Sequence, residues 1–286
     1  MSVKDYLSAA WGPQFTNCGL ADFENLWKLP LKPLEKPNIR RGGISQVFLM
    51  SLPACNTPTT KFVIKRQRNH LTRTPVHPIH GIPTLRKEFH NIQLCHRLNI
   101  PTVEPVYYAE SCGIEGRRAI LITEYLEGYI PLNQLARHWQ RQGGPDNGLL
   151  TSVIDIVAHL IRKLHNSRLQ QRYLYPKHIL IQLDNHAVDA RLIDLEGLHH
   201  SLIGDRYRYL DLSVLHRRSK SWKNTDKMRF LHQYLNLEHL DKPARKLCHQ
   251  ILKRSKEKNT RETHHKASAL SHLNQRKDSS GSTSFS

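Results

Sequence analysis

The chain has 286 residues, of which 43 are lysine or arginine and 24 are aspartate or glutamate, so its formal net charge is +19. It has no run of about 18 apolar residues and no apolar signal segment at its start, which argues against a membrane span and a secretion signal and predicts a cytoplasmic protein. Its five cysteines are scattered without C-x-x-C spacing, which argues against a disulfide framework or a zinc site.

The pattern of apolar residues predicts strands in the first half of the chain and helices in the second. Strands are predicted at 45–52, 61–65, 103–109 and 119–124, followed by a hairpin of strands 178–183 and 191–193 with its turn at 184–186. Helices are predicted at 84–98, directly after Pro83, and at 149–164, after a glycine-rich loop at 142–148. This order is typical of a two-lobed α+β architecture.

The end of the chain has a different composition. From Lys253 onward the sequence is polar and basic, with almost no apolar periodicity, and it ends in serine, glycine and threonine. This predicts a disordered tail, for which solvation is a better explanation than contact with acidic lipid or nucleic acid. The predicted domains are therefore an N-lobe at 1–124, a C-lobe at 125–252 and a basic tail at 253–286.

Two glycines mark the first candidate binding feature. Gly42 and Gly43 follow Arg40 and Arg41 and directly precede a predicted strand. Glycine lets the backbone approach a phosphate closely, so that backbone N–H groups can bind it. The segment lacks the G-x-x-x-x-G-K-[ST] pattern, which argues against a P-loop NTPase, and a plain hairpin turn is the alternative.

Lys65 and Glu88 form the second feature. Lys65 ends a short apolar strand, and Glu88 follows 23 residues later on the helix predicted at 84–98. In kinases a strand lysine contacts the nucleotide phosphates and a helix glutamate holds it. Two surface charges are the alternative, but Lys65 alternates with Val63 and therefore faces the same side as an apolar residue.

Asp194 is the third feature. It directly follows a short apolar strand and is followed by Leu195, Glu196 and Gly197. The pattern resembles the Asp-x-Gly turn of kinases with one position inserted, where a carboxylate holds Mg²⁺ against the phosphates. A turn carboxylate or a helix N-cap is the alternative.

Together with their neighbours, these features resemble the lipopolysaccharide kinase family of Gram-negative bacteria, the WaaP-like Kdo and heptose kinases, and in particular its InaA-type branch. The resemblance covers about residues 11–215. The matching segments are 37–45 (PNIRRGGIS), 63–66 (VIKR), 86–88 (RKE), 98–102 (LNIPT), 121–124 (LITE), 164–165 (LH), 174–179 (LYPKHI) and 192–194 (LID). It implies a protein-kinase-like fold that uses ATP and Mg²⁺.

The resemblance also implies roles for residues of the N-lobe. Gly42, Gly43 and Ser45 would belong to the loop that covers the phosphates. Lys65 would contact the α- and β-phosphates, with Glu88 as its partner.

Further roles follow for the hinge and the C-lobe. Glu124 and Tyr125 would lie at the hinge near the adenine. His178 falls where protein kinases have a metal-binding Asn, and the lipopolysaccharide kinases are similar in having His there. Asp194 would be the principal Mg²⁺ ligand, and Asp211 would support the backbone of the catalytic loop.

The sequence departs from the active family members at the catalytic position. They have His-Arg-Asp five residues before the metal-binding position, with the Asp as catalytic base, whereas this chain has Gln171-Arg172-Tyr173. A phenol is protonated at neutral pH and therefore a poor base. The InaA-type branch generally lacks this Asp as well. Glu196 and Asp184 are the nearby carboxylates that could replace it.

Three functions from different classes remain open. The first is an ATP-dependent phosphotransferase acting on a lipopolysaccharide core sugar or another phosphorylated saccharide, beside a membrane of anionic lipid. The second is a nucleotide-binding pseudokinase or scaffold in an envelope or stress response, because Tyr173 replaces the base. Nucleic-acid binding is the third and least favoured, because the positive charge comes without a zinc-finger, helix-turn-helix or RNA-recognition motif.

Overall fold

A computed structural model describes residues 6–40, 42–52, 59–184, 187–201 and 204–280, with side chains through residue 263. The strands are β1 (Tyr6–Leu7), β2 (Asn38–Arg40), β3 (Gly43–Leu52), β4 (Thr60–Arg68), β5 (Leu71–Thr74), β6 (His77–Pro83), β7 (Pro105–Gly113), β8 (Gly116–Glu124), β9 (Tyr129–Pro131), β10 (Leu169–Gln171), β11 (Ile179–Asp184), β12 (Ala187–Leu192) and β13 (Leu198–His200). The helices are α1 (Gly12–Asn17), α2 (Phe23–Lys28), α3 (Thr84–Arg97), α4 (Leu132–Arg141), α5 (Asn147–Asn166), α6 (Arg206–Arg218), α7 (Asn224–Leu235) and α8 (Lys242–Ser280), with 3-10 helices at Pro176–His178 and Leu195–Gly197. A strand-rich N-lobe therefore precedes a helix-rich C-lobe, as predicted.

One antiparallel sheet organises the N-lobe, with the strand order β1-β7-β8-β4-β3-β2. Phe62 and Ile64 of β4 are fully buried on one face, where they pack with Phe15 of α1 and Leu26 of α2. Side chains alternate between the faces of a strand, so Lys65 lies on the opposite face, which carries α3.

Helix α3 confirms the helix predicted after Pro83. Leu85, Phe89 and Ile92 follow the spacing of one helix face and are buried in the core that joins the two lobes. The backbone N–H of Leu85, which has no partner within the helix, donates to Gln67 Oε1 at 3.2 Å. This bond ties the start of α3 to β4.

Helix α5 is the central helix of the C-lobe and confirms the helix predicted at 149–164. The Asp146 carboxylate caps it by accepting hydrogen bonds from the N–H groups of Gly148 at 3.1 Å and Leu149 at 3.4 Å. The predicted apolar face is buried at Val153, Val157, Leu160, Ile161 and Leu164. The three-stranded sheet β12-β11-β9 packs beside it.

The remaining predicted strands are present with shifted ends. The predictions at 45–52, 61–65, 103–109 and 119–124 correspond to β3, β4, β7 and β8, and the predicted hairpin corresponds to β11 and β12. Two residues of that hairpin's turn, 185 and 186, lie outside the described residues. Sequence patterns did not predict the β5–β6 hairpin, because three prolines and a glycine interrupt the alternation there.

The tail predicted to be disordered from residue 253 is helical in the structure, because α8 continues to residue 280. The segment 253–280 contains neither glycine nor proline, so nothing in it ends a helix. Contacts with α6 hold the first part in place: Ser255 Oγ donates to the Ser213 carbonyl at 3.3 Å, and Glu262 pairs with Arg218 at 2.9 Å. The predicted limits of the two lobes stay a prediction.

Two further expectations concern membrane spans and thiols. None of the helices in the described ranges has both the length and the apolar character that a bilayer span needs. Cys18, Cys95, Cys112 and Cys248 are free thiols. Cys55 lies outside the described residues.

Candidate functional site

Lys65 and Glu88 form an ion pair where the two lobes meet. Lys65 extends from β4 and Glu88 from α3, and Lys65 Nζ lies 2.7 Å from Glu88 Oε1. The lysine side chain is 22% exposed and the glutamate side chain 6%. The pair predicted from the sequence is therefore present, while its role toward a nucleotide stays a prediction.

Burial and neighbouring charges act in opposite directions on this pair. Burial alone would lower the pKa of Lys65, but the carboxylates of Glu88 and Asp194 outweigh it and raise that pKa above its ordinary value. Burial raises the pKa of Glu88, and the Lys65 ammonium opposes that rise. The site therefore has a permanently charged ammonium group with an exposed edge.

Asp194 brings a second carboxylate to Lys65, from the C-lobe. Its Oδ1 lies 4.0 Å from Lys65 Nζ, and its Oδ2 lies 3.1 Å from His178 Nε2. The backbone of Asp194 is left-handed, with φ 59° and ψ 58°, which costs a non-glycine residue about 1–2 kcal/mol. Gln171 Nε2 donates to its carbonyl at 2.8 Å. A strained residue held by its neighbours is typical of functional sites.

The ring of His178 is oriented by the backbone of Tyr173. His178 Nδ1 lies 2.9 Å from the Tyr173 carbonyl, and a carbonyl only accepts, so Nδ1 carries the hydrogen. Burial lowers the pKa of His178, although Asp194 and the Tyr173 carbonyl oppose the shift. The neutral ring therefore directs the lone pair of Nε2 at Asp194, the arrangement of a metal-binding histidine whose other nitrogen is held by a carbonyl.

A buried network around Asp211 supports the segment that precedes Tyr173. The N–H of Gln171 donates to Asp211 Oδ2 at 2.6 Å, and His165 Nε2 lies 3.3 Å from the same oxygen. His165 Nδ1 lies 2.8 Å from the Tyr234 hydroxyl. Burial raises the pKa of Asp211, and the hydrogen bonds from His165 and Gln171 oppose the rise. This confirms the structural role expected of Asp211.

Sequence analysis missed two residues that hold the Asp194 turn. One is Gln171, which binds the Asp194 carbonyl. The other is Asn91 of α3, whose Nδ2 donates to the carbonyls of Leu195 at 2.7 Å and Leu198 at 3.0 Å. The signal for Asn91 was available, because an amide on an apolar helix face needs buried partners.

Tyr173 lies against the turn that follows Asp194. A Cβ on Gly197 would be 2.8 Å from Cδ2 of Tyr173, so only glycine allows the ring this close approach. The Tyr173 ring also lies 6.1 Å from the Tyr175 ring, between centroids. The structure thus places Tyr173 beside the metal-binding candidates, while a catalytic role stays a prediction.

The two carboxylates that could replace the catalytic Asp, Glu196 and Asp184, differ in position. Glu196 lies in the 3-10 helix after Asp194, where burial and the Asp194 charge raise its pKa and Lys65 opposes the rise. Asp184 ends β11, about 16 Å along the strand from Ile179, the residue that follows His178. The structure therefore brings Glu196 to the site but not Asp184.

The glycine turn joins β2 to β3. Gly42 has a left-handed φ of 78° and open space where a side chain would be. A Cβ on Gly43 would lie 2.4 Å from the Asn69 carbonyl, so packing within the N-lobe already requires that glycine. Ser45 Oγ accepts a hydrogen bond from Gln67 at 3.1 Å, on the same face of the sheet as the lysine. A phosphate contact from this turn stays a prediction.

The Glu124 carboxylate does not join Lys65, Asp194 and their partners. Its Oε1 accepts a hydrogen bond from Trp11 Nε1 at 2.6 Å, on the face of the sheet opposite Lys65. Its carboxylate is therefore engaged elsewhere, and any contact with a nucleotide base would come from its backbone. Tyr125, the next residue, is 40% exposed, and its N–H donates to the Lys61 carbonyl at 3.0 Å.

The donor atoms of His178 and Asp194 fit a divalent cation bound together with phosphates. Their separation of 3.1 Å is near the distance of about 3 Å between adjacent ligands of an octahedral ion. Across the described ranges, no three His, Cys, Asp or Glu side chains form a metal site by themselves. Phosphate oxygens and water would complete the shell, as is usual for Mg²⁺.

The N-lobe sheet, its ion-paired lysine and the carboxylate turn of the C-lobe define a protein with a protein-kinase-like fold. A solved structure, WaaP in complex with acyl carrier protein, matches it with a TM-score of 0.63. The match covers 89% of this chain and 99% of that chain at 18% sequence identity, which shows the fold.

The chain belongs to the Lipopolysaccharide kinase (Kdo/WaaP) family, whose sequence model matches residues 24–234. Protein InaA of Escherichia coli (strain K12) is 27% identical over 189 residues, which are 65% of this chain and 82% of InaA. The lipopolysaccharide core heptose(I) kinase WaaP of Pseudomonas aeruginosa is 28% identical over 158 residues, which are 52% of this chain and 58% of WaaP. The resemblance based on sequence motifs is confirmed.

Proposed function

We propose that this protein is an ATP-dependent phosphotransferase that acts on a sugar of the lipopolysaccharide core, or on another phosphorylated saccharide, at the cytoplasmic face of a membrane. The observation that supports this most strongly is the convergence of Lys65, Glu88, His178 and Asp194 from four separate elements. In the reaction, the γ-phosphoryl group passes from ATP to a sugar hydroxyl, ADP leaves, and the hydroxyl proton is released.

Different side chains bind different parts of the metal–nucleotide complex. Lys65 contacts the α- and β-phosphates with its exposed edge, and Glu88 keeps its ammonium in place. His178 and Asp194 hold Mg²⁺, which neutralises phosphate charge when it is bound. Positioning and electrostatics supply most of the catalysis in phosphoryl transfer, so these residues can support turnover without a strong base.

Positive charges around the site favour an anionic acceptor. Arg40 and Lys87 lie close enough to Glu196 for their charges to oppose the rise in its pKa. Arg172 in turn lies close enough to Lys87 for its charge to lower the pKa of that lysine. These groups come from β2, from α3 and from the segment containing Tyr173. A phosphorylated saccharide entering between them would therefore meet positive charge on more than one side.

Tyr173 favours a second candidate function. It occupies the position of the catalytic Asp, and a phenol at neutral pH does not take a proton readily. A protein that binds nucleotide but transfers no phosphate would act as a pseudokinase or scaffold, and the same four residues would hold its nucleotide.

Transfer of labelled phosphate from Mg²⁺-ATP to lipopolysaccharide core oligosaccharide tests the proposal. We expect transfer by the native protein and none by Lys65→Ala. Lys61→Ala is the matched control, because Lys61 lies on the same strand but pairs with Glu127 at the surface. Nucleotide binding without transfer to any core acceptor would favour the pseudokinase, and absence of nucleotide binding would exclude both functions.

A further inference from the structure

The tip of the β5–β6 hairpin extends beyond the N-lobe sheet. Its strands pair with each other from Leu71 opposite Pro83 to Thr74 opposite His77, and they form a separate two-stranded sheet. The four consecutive residues 77–80 are all exposed, although neighbouring side chains of a strand point to opposite faces. Both faces of the ribbon are therefore open to solvent at its tip.

Large apolar side chains are exposed at this tip. Val76 is 81% exposed and Ile79 is 75% exposed. Pro75 and Pro78 alternate with them, so the tip presents four apolar side chains within five residues. Single exposed apolar residues are common on protein surfaces, whereas a cluster on a projecting element indicates an interaction site.

The stretch of sequence that contains the hairpin is basic and has no acidic residues. No acidic residue occurs between Glu35 and Glu88. Ten basic residues lie in that interval, namely Lys36, Arg40, Arg41, Lys61, Lys65, Arg66, Arg68, Arg73, Arg86 and Lys87. Arg73 lies on the hairpin and Arg68 lies three residues before it, at the end of β4, and both are exposed. The apolar tip is therefore flanked by positive charge, as in proteins that bind the surface of an anionic bilayer.

The base of the hairpin is fixed beside the glycine turn of the site. The position of a Gly43 Cβ would lie within 2.6 Å of backbone atoms of Asn69 and His70, and the hairpin begins at the next residue. Arg117 donates to the Gly81 carbonyl at 2.9 Å and holds the other strand of the hairpin. The tip therefore projects from the end of the N-lobe that carries the glycine turn.

We propose that the β5–β6 hairpin docks this protein on a bilayer of anionic lipid. Val76 and Ile79 enter the interface between headgroups and acyl chains, while Arg68 and Arg73 meet the anionic headgroups. Docking through this hairpin places the glycine turn next to the membrane. The purpose of the docking, which is to bring the site to a lipid-linked acceptor, rests on the proposed function. The binding to the bilayer itself requires no catalysis.

Sedimentation of the full chain with lipid vesicles tests the docking. We expect binding to vesicles of equal parts phosphatidylcholine and phosphatidylglycerol, and weak binding to phosphatidylcholine alone. Val76→Asp combined with Ile79→Asp should weaken the binding by about tenfold or more, because it replaces apolar contacts with charges that the anionic surface repels. Arg73→Gln should weaken it by roughly fivefold.

Ile114→Asp is the matched control. Ile114 is fully exposed at the turn between β7 and β8, outside the hairpin, and Glu115 lies directly beside it, with Arg117 three residues further on. It should leave vesicle binding unchanged. Because all these positions are exposed, the variants should keep the melting temperature and the affinity for an ATP analogue of the native protein.

Three results would overturn the docking. They are absence of binding to the anionic vesicles, equal binding by the Val76→Asp/Ile79→Asp variant, and an equal loss in Ile114→Asp. If the hairpin variant instead loses affinity for a single-stranded RNA and the native protein ignores vesicles, the hairpin is a nucleic-acid site. Vesicle binding by a protein that fails to bind ATP would leave the docking intact and exclude the proposed reaction.

Discussion

His178 Nε2 lies 3.1 Å from Asp194 Oδ2, and Nδ1 of the same ring donates to the Tyr173 carbonyl, so two acceptor atoms face each other when the ring is neutral. A nitrogen lone pair facing a carboxylate is stabilised by a cation shared between them. Imidazole is a better ligand for transition metals than for Mg²⁺, and Mn²⁺ among them also accepts carboxylate and phosphate oxygens. We therefore expect the pair to favour Mn²⁺ over Mg²⁺ when a nucleotide is bound.

The first prediction concerns this metal preference. We expect a non-hydrolysable ATP analogue to bind about tenfold more tightly with Mn²⁺ than with Mg²⁺, and His178→Asn to abolish the difference, because the amide offers oxygen in place of nitrogen. Calorimetry measures the affinities. Pulsed electron paramagnetic resonance of bound Mn²⁺ should show coupling to a ring nitrogen that disappears in the variant.

A second histidine provides the control. His199 follows the same turn, but its Nδ1 lies 3.0 Å from the Gly197 carbonyl and is not paired with Asp194. His199→Asn should keep both the preference for Mn²⁺ and the nitrogen coupling. Absence of nitrogen coupling in the native protein would contradict the assignment of His178 as a ligand.

A second prediction separates the charge of Asp194 from its backbone conformation. Asp194→Asn should weaken binding of the metal–nucleotide complex by about tenfold or more while leaving stability nearly unchanged, because asparagine tolerates the left-handed region. Asp194→Ala should bind equally poorly and be less stable than Asp194→Asn by about 1 kcal/mol. Urea unfolding measures the difference, and equal stability of the two variants would contradict the strain argument.

The Lys65–Glu88 pair yields a third prediction, on stability. Lys65→Met leaves the Glu88 carboxylate buried without its partner and should lower the free energy of unfolding at pH 7 by about 3 kcal/mol. Adding Glu88→Gln should recover most of the loss, because no buried charge then remains. Lys61→Met, which removes an exposed pair on the same strand, should have no measurable effect. Failure of the double variant to recover would contradict the prediction.

Local patterns were sufficient to predict the centre of the site. Phe62 and Ile64 alternate with Lys65 along β4, so the lysine had to face away from the side of the sheet that packs on α1 and α2. The spacing of Leu85 and Phe89 fixed which face of α3 packs on the sheet, and Glu88 lies beside that face. The two periodicities are consistent with the ion pair, and the kinase pattern of a strand lysine and a helix glutamate indicated that the two side chains meet.

Contacts between distant parts of the chain could not be predicted in this way. Glu124 is engaged by Trp11, which is 113 residues away, and no periodicity indicates that bond. Helix α8 continues past residue 253 because Ser255 and Glu262 contact α6, whereas composition alone predicted disorder. The distance of Asp184 from the site follows from the full length of β11, which the sequence predicted only approximately.

Glu196 yields a prediction about pH. Burial raises the pKa of Glu196 above the ordinary 4.5, so the folded protein favours the protonated carboxyl. The stability that this proton contributes is fully present below pH 4.5 and is lost as pH rises through the raised pKa. Glu196→Gln cannot ionise, and it should therefore become more stable relative to the native protein across this window. Urea unfolding between about pH 4 and pH 8 measures it. Glu115→Gln, on the exposed β7–β8 turn, should show no such trend.

The final prediction concerns Tyr173. Its ring packs against Gly197, three residues after Asp194, so the site has room for a smaller side chain at this position. Aspartate there would supply the carboxylate that active family members are expected to use. General-base assistance is typically worth about 10²–10⁴-fold in rate, so its absence limits turnover without preventing nucleotide binding.

Tyr173→Asp should therefore increase phosphate transfer to the core oligosaccharide by about 10²-fold or more. Tyr173→Asn is the matched control, because it has the same size but no base, and it should show no comparable gain. Combining Tyr173→Asp with Lys65→Ala should abolish transfer, since the nucleotide would no longer be held. Equal gains in the Asp and Asn variants would mean that the tyrosine ring obstructs the acceptor, and that the missing base is not what limits the reaction.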